Sequence, residues 1–148
     1  LLSAAKWIEM DGGKTLIHII DIELDEFTYA QGRLYRPLEA QSLNQRPAVI
    51  LMATPPYDKD ALAPVAIELV RRGFVALTVD HKIEEIAQPD PQTTTEANAW
   101  SVLSSASALL KNQTFVDKSR LGFIAYTIDD ANIQPDKDLP FFRKCGKI

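Results

Sequence analysis

A chain of 148 residues, 46% hydrophobic and 24% charged, is about the size of one globular domain with a modest core. Its formal net charge of -4 excludes the clustered basic face that nucleic-acid binding needs, so no nucleic-acid partner is expected. The single cysteine, Cys145, excludes an internal disulfide, and with only His18 and His81 beside it neither a metal site nor a cofactor is expected.

No apolar run approaches the ~20 residues needed to span a membrane, so no membrane span is expected and a cytoplasmic location is favoured. A start at Leu1 rather than Met is consistent with a lost leader or upstream segment.

Residues 15–24 are rich in β-branched side chains and predict a strand; residues 27–35 alternate well enough to predict a second, giving an antiparallel start. Pro37 ends it, because proline cannot donate to a ladder. Residues 47–54 form a continuous apolar run, the pattern of a strand covered on both faces in a parallel sheet, and Pro55 and Pro56 break it.

Asp60 is the expected N-cap of a helix whose apolar stripe is Leu62, Val65, Ala66, Leu69 and Val70. Pro64 is tolerated in its first turn, and Gly73 is placed to end it. Residues 74–80 predict a buried strand, so strand, helix and strand make a βαβ unit. A polar loop is expected over 81–92.

The stretch from Thr93 to Glu96 has the pattern of a capping box, and Ala99, Leu103, Ala106 and Leu110 line one face of the helix expected to run to Asn112. Residues 121–126 predict another interior strand. The alternation predicts an α/β domain over 1–133, with an open, mostly parallel sheet of about five strands and an antiparallel start. Pro135 and Pro140 interrupt any later helix, so 134–148 reads as an irregular tail. Trp100, Phe115, Phe123 and Tyr126 are expected in the core, whereas Phe141 and Phe142 read as exposed residues that dock on something.

Four stretches in order, Leu34-Tyr-Arg-Pro37, Pro47-Ala-Val-Ile-Leu-Met52, Leu69-Val-Arg-Arg-Gly-Phe74 and Val116-Asp-Lys-Ser-Arg-Leu-Gly-Phe123, make residues 15–133 resemble the first half of α/β-hydrolases of the dienelactone-hydrolase and acyl-peptidase kind. The resemblance implies a truncated α/β-hydrolase-like fold. It also implies that Thr127 occupies the nucleophile position, in Ala125-Tyr-Thr-Ile-Asp129, where the family carries GxSxG.

Several residues depart from that pattern. Where the family places a His-Gly pair beside its oxyanion hole, this chain has Ala53 and Thr54 followed by two prolines, which lack N–H donors. Asp129 replaces a glycine of the elbow, and Asp130 adds negative charge near any developing oxyanion. A threonine nucleophile still needs a base, and neither His18 nor His81 matches the family's.

The expectation is therefore a noncatalytic hydrolase-like domain acting as a structural or interaction module. The alternatives are an esterase- or peptidase-type serine-hydrolase relative or fragment acting on carboxylic esters or amides, and a small-ligand binder. Ala53, Thr54, Asp80, Thr127 and Ile128 are the candidate ligand-binding residues, because open α/β sheets bind ligands at the carboxyl ends of their strands. Asp80, Asp129 and Asp130 could also hold a hard cation there, but their spacing reads better as that of solvated loop acids. An open edge is expected along the strand at 120–126, and with it self-association or a partner protein.

Overall fold

The computed structural model describes residues 7–10, 15–53, 57–85, 99–126 and 144–147; for 7–10, 85, 99, 126 and 144–147 it describes the backbone alone. Strands β1 (Trp7–Met10), β2 (Thr15–Glu23), β3 (Thr28–Pro37) and β4 (Arg46–Ala53) precede helix α1 (Ala63–Arg71). Strand β5 (Val75–Glu85), helix α2 (Ala99–Lys111) and strands β6 (Val116–Tyr126) and β7 (Lys144–Lys147) follow.

The seven strands among the described residues form one sheet in the order β1-β2-β3-β5-β4-β6-β7. The first three are an antiparallel meander, β3 joins β5 antiparallel, and β5, β4, β6 and β7 run parallel. This is the expected α/β sheet with an antiparallel start. It gains two four-residue strands at its edges that period-2 patterning is too short to reveal.

The continuous apolar run of β4 has a simple cause. Ala48, Ile50 and Met52 face α2, where they pack with Leu34, Leu77, Val79, Val102, Leu103, Ala106 and Leu110. Val49, Leu51 and Ala53 face α1, with Tyr35, Leu62, Ala66, Val70 and Ala76. With a helix on each face, both halves of the pleat must be apolar. Each fully buried aliphatic side chain contributes about 1.5–3 kcal/mol through the water it excludes. Phe115 and Phe123 lie in the core as expected, and Trp100 packs half-buried against it.

Gly73 ends α1 as its position predicts. At φ +90 it lets its N–H reach the Val70 carbonyl at 2.9 Å while the Phe74 N–H reaches that of Leu69 at 3.0 Å. This pair of bonds is a Schellman motif.

The other end of α1 corrects the expectation for Asp60. Leu62 is the N-cap and makes no side-chain capping bond. The preceding turn is instead organised by Asp58, whose Oδ1 accepts the N–H groups of Asp60 and Ala61 at 3.0 Å each. The Asp60 carbonyl takes the Ala63 N–H, leaving its carboxylate for cations nearby.

Residues 81–85 are strand rather than loop. Tyr29 pairs with Glu84 and Ala30 with Ile83, after which Gly32 pairs with Val79, so Asp80, His81 and Lys82 bulge opposite Gln31 alone. Gly32 is required by the close approach at that bulge: a Cβ there would lie 3.1 Å from the Thr78 carbonyl oxygen and 3.2 Å from Ile22. The charged sequence of 81–85 hides the strand because its pairing partner, β3, is distant in the chain.

The open edge expected along 120–126 is partly filled. β7 pairs parallel to β6, Phe123 opposite Lys144 and Ala125 opposite Lys147, so the tail read as irregular supplies the neighbouring strand. The capping-box residues, Thr93 to Glu96, lie outside the described residues, as do Phe141 and Phe142.

Candidate functional site

The carboxyl ends of the parallel strands set three residues side by side, since Ala53 is in register with Asp80 on β5 and with Tyr126 on β6. Ala53 is fully buried on the α1 face. Two of the five candidate residues, Ala53 and Asp80, are thus brought together. Thr54, Thr127 and Ile128 lie outside the described residues, as do Pro55, Pro56, Asp129 and Asp130.

Asp80 is not the solvated loop acid its sequence context suggests. Its Oδ1 accepts the backbone N–H of Lys59 at 2.8 Å, and its Oδ2 accepts the Lys59 ammonium at 3.1 Å. The two side chains are only 8% (Lys59) and 14% (Asp80) exposed, so both charges are largely desolvated and each depends on the other.

The network extends outward. Lys59 Nζ lies 3.7 Å from Asp60, whose other carboxylate oxygen lies 3.8 Å from Arg33 Nε on β3. Four alternating charges therefore tie the turn before α1 to two neighbouring strands. Tyr35, on the same face, has its phenol pushed above its ordinary pKa, chiefly by burial and further by Asp60, against the opposing pull of Arg33.

Lys59 and Arg33 are the residues that reading the sequence missed. A lysine in a polar turn and an arginine on an alternating strand carry no motif, and only tertiary contact with Asp80 and Asp60 gives them a role. Among the described residues no group of three or more His, Cys, Asp or Glu side chains could hold a metal, and no helix is long and apolar enough to cross a membrane.

His81 directly follows Asp80 at this edge, whereas His18 lies on a strand separated from β5 by β3. His18 is buried on β2, paired with Leu34, and its pKa is lowered by burial first and by Arg36 second. His81 sits half-buried in the β5 bulge. A separate cavity of about 510 Å³ opens between β2 and α2, lined by Asp21, Glu23, Ser105, Leu109 and Asn112 among others, with β3 between it and Asp80.

No family model and no curated protein sequence matches the chain. Solved structures do. A Bacteroides fragilis protein described as an acetyl xylan esterase superposes with a TM-score of 0.64 at 14% identity, covering 84% of this chain and 42% of its own. An S-formylglutathione hydrolase from Agrobacterium tumefaciens gives 0.60 at 15% identity, covering 82% and 51%. A dienelactone hydrolase-like promiscuous phosphotriesterase from metagenomic libraries gives 0.58 at 19% identity, covering 77% and 50%.

The chain thus spans about half the length of the hydrolases it matches. At these identities the likeness speaks to the fold, and it agrees with the β3-β5-β4-β6 order and with a helix on each face of β4. This chain has the α/β-hydrolase fold.

Proposed function

We propose that the chain is part of an ester-hydrolase relative, with its ligand crevice at the carboxyl edge formed by β4, β5 and β6. The observation that carries this reading is the fold likeness to structures described as esterases and hydrolases, joined to the Asp80, Ala53 and Tyr126 row that the shared strand order creates. Ala53, Thr54, Asp80, Thr127 and Ile128 border the crevice in this proposal, and a carboxylic ester or amide is the class of ligand it takes.

If the crevice is catalytic, Thr127, the residue after the last of β6, is the nucleophile. Its hydroxyl oxygen attacks the ester carbonyl, a base takes the proton, the alcohol leaves with a proton, and water then releases the acid from the acyl-threonine. His18, buried on β2, is poorly placed as that base.

The second reading is a noncatalytic module that retains the crevice for binding or interaction. Asp129 favours it, because a carboxylate in place of an elbow glycine adds bulk and negative charge where an oxyanion would develop. Fluorophosphonate labelling with peptide mapping, beside hydrolysis of p-nitrophenyl acetate, separates the two. A label on Thr127 with turnover supports the enzyme; thermal stabilisation by an ester without label or turnover supports the binding module.

A further inference from the structure

We propose that the outer edge of β2 at residues 19–23, together with the cavity between it and α2, docks an extended segment of a partner protein in which basic and small apolar side chains alternate. The segment adds a strand to the sheet beyond the end of β1. This surface is separate from the crevice at the carboxyl ends of β4, β5 and β6, so the proposal does not rest on the ester-hydrolase reading.

The strand pairing leaves this edge available. β1 pairs with β2 from Thr15 to His18, and among the described residues no strand lies beside the outer edge at 19–23. Such an edge offers a row of N–H and C=O groups to any strand that reaches it. The cavity of about 510 Å³ runs along the same stretch, with Asp21, Ile22 and Glu23 on one wall and Ser105, Ala108 and Leu109 of α2 on the other. Ser105 and Ala108 are small, so side chains of an added strand find room between helix and sheet.

The chemistry of the edge selects its occupant. Ile20 and Ile22 are buried on the α2 face, so Asp21 and Glu23 belong to the opposite pleat, where both are exposed. Residues 15–32 hold four carboxylates and no lysine or arginine, and no ion pair among the described residues takes up Asp21 or Glu23. On an added strand, the side chains directly across from Asp21 and Glu23 share their face, and opposite charges attract there. The side chain between them, across from Ile22, turns to the α2 face beside Leu109. A lysine or arginine at every second position, with a residue the size of valine between, meets both demands. A second copy of this chain does not, because two β2 edges paired antiparallel about Asp21 or Ile22 set carboxylate against carboxylate.

The test uses the full chain and a short capped peptide alternating lysine and valine, with binding read by fluorescence anisotropy at about 0.15 M salt, where distant charges are screened. One control peptide has the same residues grouped by type, and another alternates glutamate and valine. The alternating lysine peptide is expected to bind at least about tenfold tighter than either control. Amide hydrogen exchange should slow at 19–23 on binding and stay unchanged at Ile50 and Leu77. Asp21→Asn combined with Glu23→Gln is expected to weaken binding about tenfold. Ala108→Trp, which fills the cavity from an exposed position, is expected to do the same, each with little change in melting temperature. Glu68→Gln, which breaks an exposed ion pair on α1, leaves binding unchanged.

Failure of the alternating lysine peptide to bind overturns the proposal. Equal binding of the grouped peptide does so too, because net charge alone would then explain it. Unchanged binding in both variants, or protection that appears away from 19–23, has the same force. Binding seen only after removal of residues 1–6 assigns the edge to the chain's own first residues, and self-association abolished by Ala108→Trp assigns it to a second copy; either result overturns the partner segment.

Discussion

Lys59 meets Asp80 twice, through its N–H at 2.8 Å and its ammonium at 3.1 Å, at a place where neither side chain has much access to water. Removing one partner strands a buried charge, which is worse than removing both. Lys59→Met is expected to cost about 3 kcal/mol of unfolding free energy. In Lys59→Met with Asp80→Leu the cost should fall short of the sum of the single changes by about 1–3 kcal/mol, measured by urea denaturation. Strict additivity would show that the two groups act independently.

His18 makes stability depend on pH near neutrality. Its native pKa lies below the ordinary 6.5, with burial the larger cause and the Arg36 guanidinium the smaller. The unfolded chain therefore takes up the proton first as pH falls. The stabilising contribution is complete above about pH 6.5 and is lost progressively below it, toward the lower native pKa. The melting temperature is expected to fall between pH 7.5 and 5.5, and His18→Leu to flatten that slope.

Asp117 follows the same direction with pH, in a lower window. The Ser119 hydroxyl, the Ser119 N–H and the Arg120 guanidinium, in that order, hold its carboxyl at about 2 instead of 3.8. Its contribution is present above about pH 3.8 and lost as pH falls toward 2. A carboxyl-detected NMR titration should give the low value, and Ser119→Ala should raise it.

The two structurally constrained glycines should respond to alanine for different reasons. At Gly32 the added methyl meets the Thr78 carbonyl and two isoleucines in a packed bulge, a steric cost of about 1–3 kcal/mol. At Gly73 the φ of +90 is the obstacle, at about 1–2 kcal/mol. Thermal denaturation of both variants checks this, and Gly73→Asn should be milder than Gly73→Ala because asparagine tolerates left-handed backbone better.

Much of the fold is legible in the chain because its signals are local. The buried run of β4, the stripe of α1 and the glycine that ends it are each read from a few consecutive residues, and their order predicts the α/β sheet. The two edge strands, the extension of β5 and the pairing of β7 with β6 are not, since each depends on a distant partner rather than on its own pattern. Asp60 shows the limit within a single turn: a good capping residue by type, it is displaced because Asp58 takes the N–H groups and Arg33 and Lys59 draw its carboxylate.

For the candidate site the division is sharper. The sequence by itself determined that the buried runs of β4 and β5 stop near Ala53 and Asp80, because strands covered on both faces must be apolar, although β5 itself continues to Glu85. Only the tertiary structure decided what Asp80 does there. A carboxylate at a strand end carries the same local signal whether water or an ammonium meets it, and the register that places Lys59 against Asp80 arises from the packing of α1 across β4 and β5.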